Sequence, residues 1–264
     1  TETTVKRKRV GGDELEKEAV LGSVLKAYIL KELRLLFRTP VYFMNCVLMN
    51  FLWPVFLIIP FILQPDFGRQ VSAFSGFIKN PDSAGYIAAG VFALGTFVTA
   101  SNGITSTAVS REGENIFVNK YLPVDYKTQI MAKVLSGVTL GFTGLVLIIL
   151  TLGFFLGIPV HLIFLFLVSG FWGVLFSSLA GMTLDLNFPK LHWDNEQKAV
   201  KQNLNVLFMM LIAVVLSGLI LFGVIKLRLG LGAALIIIIG LGGLLNGFLY
   251  RYLTTKGVRL FADL

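Results

Sequence analysis

The chain reads as an all-α integral membrane protein: six transmembrane helices preceded by an N-terminal amphipathic interfacial helix. Three observations predict this. Only 14% of its 264 residues are charged while 55% are hydrophobic, where ordinary soluble domains carry about 25% charge. The charges leave five long charge-free gaps, as expected where an ionised group at the bilayer centre costs about 2.5–3.5 kcal/mol on insertion scales. The cations are also segregated: 19 of the 23 Lys and Arg fall in segments on one side and 4 on the other. A soluble domain, a disordered chain and a collagen are excluded by the composition. So is a disulfide scaffold, because Cys46 is the only cysteine.

Residues 1–14 form a flexible basic linker, and 15–38 an amphipathic elbow helix. In the elbow Leu21, Val24, Leu25, Tyr28 and Ile29 recur at helical spacing, while Lys31, Arg34 and Arg38 point another way. Such a helix suits a membrane surface, with its cations among lipid phosphates and its apolar stripe in the acyl boundary; a helix packed on a soluble partner is the alternative. Thr39-Pro40 stops it, because the residue before proline is driven out of the α region.

Residues 39–264 form the six-helix transmembrane domain. A helix crosses about 30 Å of hydrocarbon with roughly 20 residues, which predicts spans at about 41–63, 85–109, 134–156, 160–183, 204–225 and 229–250. The third charge-free gap holds two helices, divided by the turn residues Gly157-Ile158-Pro159. The first span contains Asn45, Asn50, Pro54 and Pro60, and about twenty polar residues (64–84) follow as an external loop. The inner half of the second span is barely hydrophobic, and Thr99, Asn102 and Thr105 are its candidate pathway-lining residues; close packing of small residues is the equal alternative. Gly137/Gly141, Ser177/Gly181 and Gly243/Gly247 are small-xxx-small pairs that mark helix contacts.

The positive-inside rule puts both termini in the cytoplasm. On that side Ser110-Arg111-Glu112-Gly113-Glu114 ends the second span, and a short helix follows until Pro123. Asp125 is placed to cap the third span. In the next loop, Asp194 and Gln197 have capping-box spacing for a helix running into the fifth span. Only Lys226 to Arg228 join the last two spans. The basic residues are spread over four loops, so the charge is a topology signal and no nucleic-acid partner is expected.

Catalytic signatures are missing. The sequence contains no Gly-Lys-Ser/Thr phosphate loop, no His-Glu-x-x-His and no Gly-x-Ser-x-Gly elbow, and its two histidines lie too far apart for a metal site. No enzyme activity, and no catalytic, cofactor-binding or metal residue, is expected of this chain. The acids fall in loops or termini, with Asp185 at the edge of the fourth span. An ion-coupled carrier usually keeps an ionisable group at membrane depth, so energy for transport would arrive from another subunit.

At this point the residues show a resemblance. Lys26–Arg38 with Thr39-Pro40-Val41-Tyr42-Phe43, then Ser110-Arg111-Glu112-Gly113-Glu114, Leu122-Pro123-Val124, and Asp185-Leu186-Asn187-Phe188-Pro189-Lys190-Leu191-His192-Trp193 with Asn195-Glu196, resemble a six-helix half of type-2 ATP-binding-cassette (ABC) exporter permeases. The likeness is to the long bacterial permeases of low-GC Gram-positive organisms. It implies a multi-pass permease in a bacterial plasma membrane, working with a separate ABC nucleotide-binding subunit that holds the ATP and Mg, and with a second six-helix half. It also implies that Arg111, Glu112, Gly113, Glu114, Phe117, Lys120, Tyr121 and Pro123 form the coupling helix for that ATPase. Glu112, Glu114 and Lys120 would pair with the partner's charges, and Phe117 and Tyr121 would anchor it. A non-transporting membrane scaffold or sensor is the alternative function, with an ion-coupled carrier or channel behind it. With Thr in place of Met at its start, the chain is expected to be a fragment or processed segment cut from a longer polypeptide.

Overall fold

The computed structural model describes residues 24–63 and 66–264. The expected linker and the first part of the elbow helix lie outside the described residues. Every regular element among the described residues is helical. α1 (Val24–Arg38) leads into α2, a continuous run of Pro40–Tyr42, the π-helical Phe43–Leu48 and Met49–Ile62. Then come α3 (Phe67–Lys79) and α4 (Pro81–Ser101), and a 3-10 segment (Ser110–Phe117) running into α5 (Val118–Tyr121). α6 (Tyr126–Leu156), α7 (Val160–Asn187), the short α8 (Glu196–Val200), α9 (Leu204–Lys226), α10 (Leu231–Tyr252), a second π-helical turn (Leu253–Gly257) and α11 (Val258–Asp263) complete the chain. Six of these helices, α2, α4, α6, α7, α9 and α10, are long and apolar enough to cross a membrane.

The second span is the axis of the bundle: 67% of it is buried, against 28% of the first, fifth and sixth. Small residues let its neighbours approach that closely. A Cβ on Gly95 would stand 2.6 Å from the Gly170 carbonyl oxygen of α7, and one on Gly173 2.5 Å from that of Phe92. Between them the hydroxyls of Ser169 and Ser177 donate to the Ala88 and Thr96 carbonyls at 2.7 and 2.6 Å. With no hydrophobic drive between helices in lipid, such packing and hydroxyl bonds hold a bundle together.

Three expectations are corrected by local physics. The second span ends at Ser101, not near 109: Gly103 adopts φ +67° and Asn102 Oδ1 accepts from Ile104 N–H at 2.9 Å. Residues 102–109 are irregular and buried, which at this depth requires other groups to satisfy the backbone. The external loop contains α3, an amphipathic helix pinned where Ser75 Oγ donates to the Leu156 carbonyl at 2.8 Å. In the loop before the fifth span the cap is Asn195, which accepts from Gln197 N–H, whereas Asp194 pairs with Lys198 at 2.7 Å. The helix it opens stops at Val200, and Asn203 starts α9 afresh.

Asp125 does cap α6, accepting from Thr128 N–H at 2.9 Å. α6 therefore begins at Tyr126 and carries Lys133 inside its first turns. The link between the fifth and sixth spans is a tight turn with Arg228 at φ +50°. α1 and α11 both pack near the start of α6, through Glu32–Lys133 and Tyr126–Phe261. This end of the bundle is termed the terminal face.

Candidate functional site

At the terminal face the segment between the second and third spans is clamped from four sides. Glu32 lies on the same side of α1 as Leu36, and both are buried against the bundle. Lys133 of α6 meets it: Nζ is 2.9 Å from Glu32 Oε1, 2.5 Å from Glu112 Oε1 and 3.3 Å from the Ala108 carbonyl. Lys133 is 2% exposed and Glu32 1%. Lys31, half-exposed at the rim, stands 3.6 Å from Glu112 and 3.8 Å from Glu32. Asn119 adds a short hydrogen bond to Glu112 Oε2.

Arg111 also faces inward. Its Nη1 donates to the Ile104 carbonyl and to Thr107 Oγ1, both at 2.7 Å, and its guanidinium lies 5.8 Å from the Tyr42 ring. Tyr42 in turn donates its hydroxyl to the Arg111 carbonyl at 3.3 Å. On the far side Asp185, fully buried near the end of α7, accepts from the N–H groups of Val109 (2.6 Å) and Ser110 (3.0 Å), from Asn205 Nδ2 (3.0 Å) and from the Ser110 hydroxyl. Trp193 Nε1 donates to the Ser110 carbonyl at 2.8 Å. The Trp193 indole covers Gly113, where φ is +55° and a Cβ would stand 2.9 Å from the ring, so only glycine fits.

The expected coupling residues therefore separate into two groups. Arg111, Glu112 and Gly113 face the protein and fix the segment. Glu114, Phe117, Lys120, Tyr121 and Pro123 are exposed, with Tyr121 83% exposed and edge-on to Phe117. Glu112 is thus engaged with Lys133 and Lys31, not held ready for a partner's charge. Glu114 meets His192 Nδ1 at 3.2 Å on the exposed side, which links the two loops of this face.

The candidate pathway residues are placed differently from the expectation. Thr99 and Thr105 are sealed inside the bundle: a Cβ on Gly141 would lie 2.6 Å from Thr99 Oγ1, and one on Gly181 2.5 Å from Thr105 Oγ1. They fill helix seams in this conformation. Asn102 is also buried, bonded to Asn50 and Ile104, but it lies in the wall of a cleft between the first and fifth spans. In α1, Arg34 and Arg38 are exposed as a surface helix requires, but Tyr28 and Ile29 are half-buried and Glu32 takes the inner side. The apolar side chains that α1 exposes are Val24, Leu30 and Phe37.

Of the residues that hold the site, Glu32, Tyr42, Asp185 and Trp193 stand in the stretches that carry the resemblance but had no role assigned, and Lys133 and Asn205 lie outside them. One signal was present: Glu32 and Leu36 share a helical face, so an acid sits on an apolar stripe and needs a buried cation. Burial alone would raise the Glu32 pKa, but Lys133, Arg111 and Lys31 outweigh it and hold the carboxyl below its ordinary value of 4.5. A depressed folded-state pKa means stability that is present above the ordinary value and lost as pH falls through the lowered one. The thermal midpoint in detergent is expected to drop as pH is taken below about 4.5, and Glu32→Gln to flatten that acid limb. An unchanged limb in the variant would show that Glu32 does not carry it.

Comparison with curated proteins and with solved structures finds no match. A family model described as "Membrane protein of 12 TMs" matches residues 3–250, and this helical, six-span chain belongs to that family of multi-span membrane proteins.

Proposed function

We propose that this chain is a permease unit of an ATP-driven exporter, receiving force from a separate ATP-hydrolysing subunit of the ABC type at its terminal face, which is cytoplasmic. The observation that carries the reading is the split in the loop between the second and third spans. Its base is bonded to α1, α2, α6 and α7, so a push on it is transmitted to four elements instead of being absorbed by a loose loop. Its tip offers two exposed aromatics flanked by Glu114 and Lys120, the composition of an interface anchor.

A second six-span unit, in the same or another chain, completes a pathway along the interface, and the two rock between arrangements as the ATPase closes. The family description counts twelve transmembrane segments against the six spans here, which supports a partner unit of equal size. ATP and Mg belong to the ATPase, and this chain supplies no catalytic residue.

The test is co-purification from detergent extracts. Wild type is expected to carry an ATPase, and Phe117→Ala/Tyr121→Ala to lose it by tenfold or more while inserting and unfolding like wild type. These two residues are the ones to change, because Arg111→Ala would unseat the segment as well. A wild-type extract that yields only a non-hydrolysing partner would favour a scaffold or sensor. Flux driven by an ion gradient without ATP would favour a carrier.

A further inference from the structure

Irregular backbone, polar side chains and an unpaired cation meet in a cleft beside the first span. It opens between α2 and the start of α9, has a volume of about 230 Å3, and is floored by Asn102 and Gly103. Two departures from regular helix bound it. The first span is π-helical over Phe43–Leu48, which carries Asn45 to its wall, and α4 ends at Ser101, just before Gly103 at φ +67°. π-helical turns are rare and concentrate at functional sites, and non-helical backbone at membrane depth survives where it is buried or lines a cavity.

Its chemistry is one-sided. No carboxylate lines the cleft, and the only charge is Lys201, exposed at its mouth. Lys201 enters none of the ion pairs of the described residues. Asn45 Nδ2 spends one hydrogen on the Val41 carbonyl at 2.7 Å and keeps the other. The Trp53 indole lines the cleft and has ring partners in Phe56 and Phe97. Met49, Val206 and the Trp53 ring supply apolar wall beside these donors.

We propose that this cleft binds an amphipathic anion, its carboxylate or phosphate head on Lys201 and its alkyl part along Met49, Trp53 and Val206. The inference rests on the transport reading and names its cargo class. The entry point becomes the seam between the first and fifth spans, in place of the buried threonines of the second.

Trp53 is the reporter. Purified full chain in detergent is titrated with a brominated fatty acid, whose bromines quench indoles on contact, and with a brominated alkyl-trimethylammonium of the same length. The fatty acid is expected to quench saturably, and the quenched component to vanish in Trp53→Phe. Lys201→Gln should weaken binding tenfold or more, since a charge-assisted bond is lost, while Lys256→Gln, an exposed cation elsewhere on the same face, leaves it unchanged. Dodecanoate or dodecyl phosphate should displace the probe, and whichever displaces it better names the head group. Equal quenching by the ammonium probe, an unaffected Lys201→Gln, or displacement by neither anion would overturn the proposal. The assay needs no ATPase, so saturable binding without a co-purifying ATPase would sink the exporter and spare the cleft. An ATPase with no binding would do the reverse.

Discussion

Lys133→Ala is expected to destabilise the folded protein by about 3–5 kcal/mol, the usual cost of removing one partner of a buried ion pair. The variant would leave Glu32 and Glu112, at 1% and 8% side-chain exposure, facing each other across the space of the lost ammonium. It would also strip the Ala108 carbonyl of its only side-chain donor among the described bonds. Lys31 is already within 4 Å of both acids but is half-exposed, so removing it alone should cost at most about 1 kcal/mol, as for surface pairs. The triple variant Glu32→Gln/Glu112→Gln/Lys133→Met separates charge from volume. Replacing a whole buried ion set with neutral groups of similar size is often near neutral, so most of the loss should return. Denaturation midpoints in micelles measure all three. A loss below 1 kcal/mol for Lys133→Ala would mean that the cluster contributes little to the fold. Co-purification of the proposed ATPase in the triple variant then asks whether rigidity of the base, once stability is restored, is needed for the proposed coupling.

Gly173→Ala is expected to be the second large effect, at least about 1–3 kcal/mol as for overpacked cores. The added methyl meets the Phe92 carbonyl oxygen at 2.5 Å and runs into Thr96, and backbone cannot turn aside as a side chain can. α4 and α7 would have to separate, breaking the Ser169 and Ser177 bonds that cross the same seam. Gly247→Ala is the matched control. Nothing lies within 4 Å of a Cβ there, and glycine costs a helix roughly 0.5–1 kcal/mol relative to alanine, so this substitution should be neutral or stabilising. Similar losses in the two variants would show that the seam is looser than the distances imply.

Gly247 shows how much could be read beforehand. Gly137/Gly141, Ser177/Gly181 and Gly243/Gly247 are equivalent as sequence patterns. In the folded chain the first two pairs are pressed against Thr105, Thr99 and Thr96, while Gly247 has open space. Spacing places two small residues on one face of a helix, but not which helix, if any, arrives there. The same limit governed the polar inner half of the second span. Thr99 and Thr105 pack into glycine seams, and the polar surface left open belongs to Asn45, Ser101 and Lys201 on three separate elements.

The tip of the loop was legible because Phe117 and Tyr121 are large apolar residues in a charged segment with no span of their own to join. Its base was not. Arg111, Glu112 and Gly113 are contiguous with the exposed residues and chemically suited to a partner, but Arg111 turns in to Ile104, Thr107 and Tyr42, Glu112 to Lys133, and Gly113 lies under Trp193.

By itself the sequence determined the solvent of this protein, its six crossings and the side on which its cations gather. Each of these follows from a transfer cost paid residue by residue along the chain. Tertiary structure alone decided which charges are buried together and which polar groups stay open. Those outcomes depend on pairs more than twenty, and up to about a hundred, residues apart, such as Lys133 with Glu32 and Glu112 or Asp185 with Ser110. No local pattern encodes the distance between such partners.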